Sequence, residues 1–309
     1  MKHFSRDDIF RVDPREVADA MAVALGMVSR GAAVAPIRAH IELGEGAGTF
    51  LISGVLTEFD LLTVKVINVR PGNPGSGLPR LQGALTIFKA STGVPIATLD
   101  APAATEARTA ACSALSMRLL GRSDASVLTV FGTGPQAAAH IRALSAECDL
   151  KEVRIVGKRL DVARELAASH PHARAVGHDR ALRGAHAVVT ATNTTSPLFS
   201  ADAVEPGTHL MLVGSGSANA AEVEPALLGR AAAIRVDHRP SCLEESGEIV
   251  QAVAAGLIAQ EAVRELGEVV IGRAPGRGTP DEITVYKSVG NGTQDAGLAA
   301  LLLGVLARP

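Results

Sequence analysis

One stretch constrains this chain more than any other, residues 126–137, SVLTVFGTGPQA. A run of apolar and β-branched side chains leads straight into Gly132-Thr133-Gly134-Pro135-Gln136-Ala137, and a helical pattern follows at once in QAAAHIRALSAE. Such a strand-turn-helix with GxGxxA spacing is built to receive a pyrophosphate. Gly132 permits the tight turn, Gly134 lets the phosphates approach the backbone, and Ala137 keeps the helix close to the strand. The first N–H groups of the helix and the positive end of its dipole then face the anion. A second strand, EVRIV, ends at Gly157, so the unit has the length of about 30 residues that a dinucleotide-binding βαβ motif needs. Gly132, Thr133, Gly134, Pro135 and Gln136 are therefore candidates to hold a nicotinamide dinucleotide. At the end of that second strand an Asp or Glu commonly bonds the ribose 2′-OH of NAD. Gly157-Lys158-Arg159 stands there instead, with two cations that suit a 2′-phosphate. This favours NADP(H), with NAD(H) as the alternative if Lys158 and Arg159 are only solvated charges.

Beyond Ser126 the chain keeps alternating apolar strands with helices, in EVRIV, LDVARELAASH, HAVVTAT, THLMLVG and AAIRVD. That alternation predicts an α/β domain with a doubly wound parallel sheet of the Rossmann kind over 122–291. Thr190 and Thr192 end one of these strands, where such sheets place the cofactor. The segment before Gly121 reads differently. Asp13-Pro14-Arg15-Glu16 starts a helix, with Glu16 able to reach back to the cap. Short β-branched runs at 50–53, 62–69, 83–88 and 96–99 predict an antiparallel or mixed sheet, and 103–120 predicts a helix. The Gly/Pro-rich loop 71–79 reads equally as a surface connection or as a site lining. The segment after Gln294 is too apolar to hang free, so residues 292–309 are expected to join 1–121 in a smaller α+β domain.

Composition narrows the function. At 309 residues and 47% apolar the chain supports two packed domains. Thirty basic against thirty-two acidic residues leave a net charge of −2, which speaks against coating nucleic acid or an anionic membrane. Aromatics at 3% are too few for a base-stacking platform. Cys112, Cys148 and Cys242 are far apart and show no metal-ligand spacing, and His170, His172 and His178 suggest no third ligand, so no metal is expected. The N-terminus lacks the apolar core of a signal peptide, and the longest apolar stretch, 296–307, is broken by Gly297 and Gly304. A soluble, cytoplasmic protein is the expectation.

Several blocks, taken together and in order, resemble the ornithine cyclodeaminase/mu-crystallin family. They are VAPIRAHIEL (34–43), LLTVKVINVRPGN (61–73), GLPRLQGALTIFKASTGVPIATLDA (77–101), TEARTAACSALS (105–116), VFGTGPQAAAH (130–140), HAVVTATNTTSPLF (186–199) and DEITVYKSVGNGTQD (281–295). The resemblance implies a substrate and dimerisation domain beside the dinucleotide domain, a homodimer, and an amino or imino acid as the small-molecule partner. It also implies roles. Lys65 matches a lysine that contacts the substrate carboxylate and imine region, Arg108 an arginine that pairs with that carboxylate near the nicotinamide, and Arg38 an arginine near the same pocket. The residues themselves agree. Lys65 sits mid-strand in TVKVI, an odd place for a lysine with nothing to bind, and Arg108 lies in the first turns of its helix.

One departure decides between activities. Cyclodeaminase-type members carry GADxPGK after the strand that here reads THLMLVG. In this chain the aspartate falls at Gly216 and the lysine at Ala220, while Glu222 and Glu224 read as structural. The expected enzyme is an NAD(P)H-dependent oxidoreductase that reduces a cyclic imino acid or interconverts an amino acid with its imine. Ornithine cyclodeamination and non-enzymatic NADPH binding are the alternatives, and Lys65 or an ordered water is the proton source.

Overall fold

The computed structural model describes residues 1–306. The chain divides into two compact units, one made of Met1–Arg108 with the segment from Gly290 on, the other of Thr109–Val289. The expected boundaries at 121/122 and 291/292 differ from this division, whose first break falls inside a single helix, Ala101–Leu120. Its second half is tied into the other unit by Ser113 Oγ to His140 Nε2 at 2.9 Å, and by Ser116 Oγ to His209 Nε2 at 3.0 Å. No residue breaks the helix at 108, so the sequence has no local sign of the division. Residues 307–309 of the expected C-terminal segment lie outside the described residues.

The first unit is built on a mixed sheet of β1 (Lys2–Phe4), β2 (Ala33–Val34), β3 (Ala39–Glu42), β4 (Gly48–Leu56), β5 (Leu61–Val69), β6 (Leu81–Lys89) and β7 (Pro95–Asp100). The strand order is β1-β7-β6-β5-β4-β2, with β3 paired to β4. Neighbours are antiparallel except β1, which runs parallel to β7. The register lines up Phe4, Leu99, Leu85, Lys65 and Ile52 across five strands, all buried. Two helices cover this face. Pro14–Ser29 buries Val17, Met21, Ala24 and Leu25. Asp13 caps it through the Arg15 N–H, and the expected return contact from Glu16 is not formed. The second helix, Gly292–Leu302, packs on Pro14–Ser29, β4 and β5, and is buried on every side through Ala300. The other face of the sheet carries Ile41, Leu51 and Val64, exposed by 49%, 41% and 38%.

The second unit is a parallel sheet of β8 (Val127–Phe131), β9 (Glu152–Val156), β10 (Ala173–Ala175), β11 (Ala187–Thr190), β12 (His209–Leu212), β13 (Ala233–Val236), β14 (Val263–Glu265) and β15 (Thr284–Lys287). Its order is β10-β9-β8-β11-β12-β15-β13-β14. The order reverses between β8 and β11, the point at which doubly wound sheets open a crevice beyond their strand ends. β10 and β14 are too short for a periodicity to reveal. β15 hides in TVYK because its Lys287, wholly buried, makes a central strand read as half polar.

Candidate cofactor and substrate sites

At the switch point the chain makes the turn its sequence requires. Gly132 has φ +126°, and a Cβ there would lie 2.4 Å from the carbonyl oxygen of Ala191. Only glycine fits a left-handed position pressed against a neighbouring backbone. Around Gly134 the space is open for 4 Å, and Gly134 is the N-cap of the helix Pro135–Glu147, with Pro135 in its first turn. Thr133 and Gln136 flank this mouth. The N–H groups of that first turn and the open approach at Gly134 fit a pyrophosphate. His140 fastens the helix from beneath, since Nδ1 bonds the Gln136 carbonyl at 2.7 Å. A carbonyl only accepts, so Nδ1 carries the proton and Nε2 accepts from Ser113.

The two strand-end threonines are held by one carboxylate. Glu222, fully buried, accepts from Thr190 Oγ1 at 2.7 Å, from Thr192 Oγ1 at 2.6 Å, and from the N–H groups of Thr192 and Gly214 at 2.8 Å. Glu222 thus fixes the ends of β11 and β12 together. Beside it Lys287 Nζ donates to Ser215 O at 2.7 Å and pairs with buried Glu248 at 3.0 Å. Beyond β9, Gly157 leads to exposed Lys158 and Arg159. Arg159 is not left for a ligand alone, because Asp161 grips its guanidinium at 2.5 and 3.3 Å. Asp161 reaches back to it from the first turn of the helix Leu160–Ala167.

In the first unit Lys65 turns inward from β5 and is wholly buried. Its Nζ lies 2.8 Å from both carboxylate oxygens of Asp295 and donates to Thr105 Oγ1 at 3.1 Å. Arg108, 5% exposed, donates from Nη1 to Gln294 Oε1 at 2.6 Å, and its Nε stands 3.6 Å from Asp295 Oδ1. The helix bearing Arg108 starts correctly because Asp100 accepts from the Ala103 N–H at 2.8 Å. Its other acid, Glu106, is occupied by Arg6. Arg38 stands apart from this cluster, stacked over Phe50 at 4.7 Å, and only its charge reaches Lys65.

Two cations and one carboxylate give this buried group a net charge of +1. Burial pushes the Lys65 ammonium down from 10.5 to about 8; Asp295 opposes this, while Arg108 and Arg38 reinforce it. Asp295 is the one residue of this cluster that the sequence reading does not single out. Its signal was present, since it is the only acid after Glu282 and sits in a helix whose remaining residues, Thr293 and Gln294 apart, are apolar.

Fold and geometry together define a two-unit α/β protein with a parallel dinucleotide-type sheet in one unit and a buried, cationic side-chain cluster in the other. The chain belongs to the ornithine cyclodeaminase/mu-crystallin family, whose model matches residues 10–304. A Delta(1)-pyrroline-2-carboxylate reductase of Bacillus cereus is 29% identical over 94% of this chain and 92% of its own. The Thermococcus litoralis Delta(1)-pyrroline-2-carboxylate reductase, solved with NADH and L-proline, superposes with a TM-score of 0.92 at 26% identity, over 98% of this chain and 97% of that one. An archaeal alanine dehydrogenase dimer with bound NAD gives a TM-score of 0.90 at 27% identity, over 98% and 95% of the two chains.

Proposed function

We propose that this chain is a nicotinamide-dependent oxidoreductase that reduces the C=N bond of an α-imino acid, a cyclic ketimine such as pyrroline-2-carboxylate foremost, or runs the same step backwards from the amino acid. The observation that carries this is the buried charge of +1 on Lys65, Arg108 and Asp295. Buried charge that is not balanced is costly, and a substrate carboxylate balances it. Arg108 and Lys65 then hold the carboxylate, and Arg38 adds positive potential at longer range. Lys65 Nζ, kept charged by Asp295, gives a proton to the imine nitrogen. The dinucleotide supplies the hydride, so that imine, reduced nicotinamide and one proton become amine and oxidised nicotinamide.

Gly132, Thr133, Gly134, Pro135 and Gln136 would hold the pyrophosphate, and the strand ends at Thr190 and Thr192 the nicotinamide side. Lys158 would read a 2′-phosphate, which makes NADP(H) the preferred cofactor and NAD(H) the weaker one. The bound NADH and NAD of the two solved relatives support the dinucleotide itself. A homodimer through the apolar outer sheet face of the first unit accounts for exposed Ile41, Leu51 and Val64. Three cysteines without a disulfide support a cytoplasmic location.

Ring-closing deamination of ornithine asks for an acid–base group at the strand end after β12, and residues 213–221 carry no ionisable side chain. The purified protein should oxidise NADPH with pyrroline-2-carboxylate and leave L-ornithine unchanged. Either conversion of L-ornithine to L-proline and ammonia, or inertness toward a whole panel of imino acids with both cofactors, would overturn the reading.

A further inference from the structure

The mouth of the helix Gly292–Leu302 holds a donor that its structural role does not use. Asn291 is the N-cap, and its Oδ1 accepts from the Thr293 N–H at 3.0 Å and from the Thr293 hydroxyl. Capping needs nothing more. The other half of the amide, Nδ2, is buried without a hydrogen-bond partner among the described residues, in a side chain only 1% exposed. An unmet buried donor is costly and calls for an acceptor. The residue before it faces Arg108: at Gly290, with φ +83°, a Cβ would stand 2.6 Å from Arg108 Nη2 and 2.8 Å from Nη1. Arg108 Nε is buried without a hydrogen-bond acceptor as well.

Two unmet donors therefore sit at a helix N-terminus beside a group of net charge +1. The choice of residue adds to the argument. Aspartate caps as well as asparagine and would neutralise that charge, whereas the amide leaves both the charge and a donor for a ligand. We propose that Asn291 is a substrate-binding, specificity-determining residue whose Nδ2 donates to the α-carboxylate of the amino or imino acid alongside Arg108. The inference rests on the imino-acid reading and names a residue that reading does not need. Imines without a carboxylate lose this contact and are discriminated against for that reason.

Capping and substrate binding separate in a set of variants of the full chain. Asn291→Asp and Asn291→Ser keep a capping oxygen, while Asn291→Ala removes it. Melting temperature, KM and kcat for pyrroline-2-carboxylate, and binding of L-proline by calorimetry are measured for each. The expected result is a melting temperature held in the Asp and Ser variants. KM should rise roughly tenfold in Ser and roughly a hundredfold in Asp, where a carboxylate repels the ligand. Unchanged KM and L-proline binding in the Asp and Ser variants, with only Asn291→Ala less stable, would reduce Asn291 to a helix cap and overturn the proposal. A wild-type protein that oxidises no NAD(P)H with any imino acid defeats the reading of function instead. The Asn291 proposal then stands or falls on L-proline binding, supported if Asn291→Asp abolishes it and overturned if the wild type binds none.

Discussion

In the proposed mechanism the chemistry turns on Lys65, and its environment sets a pH dependence. The ammonium form donates the proton, so imine reduction should fall as pH rises through about 8, the value to which burial brings Lys65. Asp295→Asn removes the only charge that favours the ammonium, so the alkaline limb of the kcat profile should move to lower pH. The same change strands two buried cations and should cost about 3–5 kcal/mol in denaturant unfolding. A limb at the same pH in variant and wild type would separate Lys65 from the proton transfer. The proposed cofactor preference also rests on single residues. Lys158→Ala should weaken NADPH binding on the order of tenfold while leaving NADH nearly unaffected. Asp161→Ala should do the opposite to NADPH, because it frees the Arg159 guanidinium from its present partner. Equal effects on both dissociation constants would show that neither cation reads the phosphate.

At the scale of elements, two buried imidazoles pin the helix Ala101–Leu120 to its surroundings. His140 joins it to the dinucleotide helix, and His209 joins it to β12 and Thr284. Burial pushes His140 from 6.5 down to about 4; for His209, burial and then the Arg277 charge push it to about 3. Both rings are therefore neutral in the folded chain and take up protons on unfolding. Their share of stability is complete above about pH 6.5 and is lost as pH falls toward 4 and then 3. The loss should be roughly 3 kcal/mol for His140, read from denaturant midpoints across this range. A His140→Gln variant should flatten the pH dependence, and a slope identical to that of the wild type would rule out this ring as its source.

For the molecule as a whole, the outer face of the first sheet predicts the assembly. Ile41, Leu51 and Val64 present branched apolar side chains on a face that no helix of the unit covers. The expected form is a homodimer at micromolar concentration in sedimentation experiments. Leu51→Glu and Val64→Glu should yield a folded monomer, since both side chains are part exposed and the inner core is untouched. A wild-type monomer, or variants that remain dimeric, would place the interface elsewhere or remove it.

The turn at Gly132, the helix after it and the alternation of strands and helices were legible in the sequence because each depends on neighbours in the chain. Backbone conformation, capping and hydrophobic period are local properties, and SVLTVFGTGPQA contains all of them. Lys65 was conspicuous for the same reason, as a cation inside TVKVI. Its partner was not, because Asp295 lies 230 residues away and meets it only when β5 and the helix Gly292–Leu302 turn their buried faces together. Glu222, read as structural from the sequence, carries no local sign that it holds Thr190, 32 residues before it. The division at Arg108 has no sequence mark at all, since one unbroken helix serves both units. The sequence by itself determined the longer helices, most of the longer strands and most of the candidate ligands. Only the tertiary structure decided which charges are desolvated together, because burial and pairing depend on distances that no local pattern encodes.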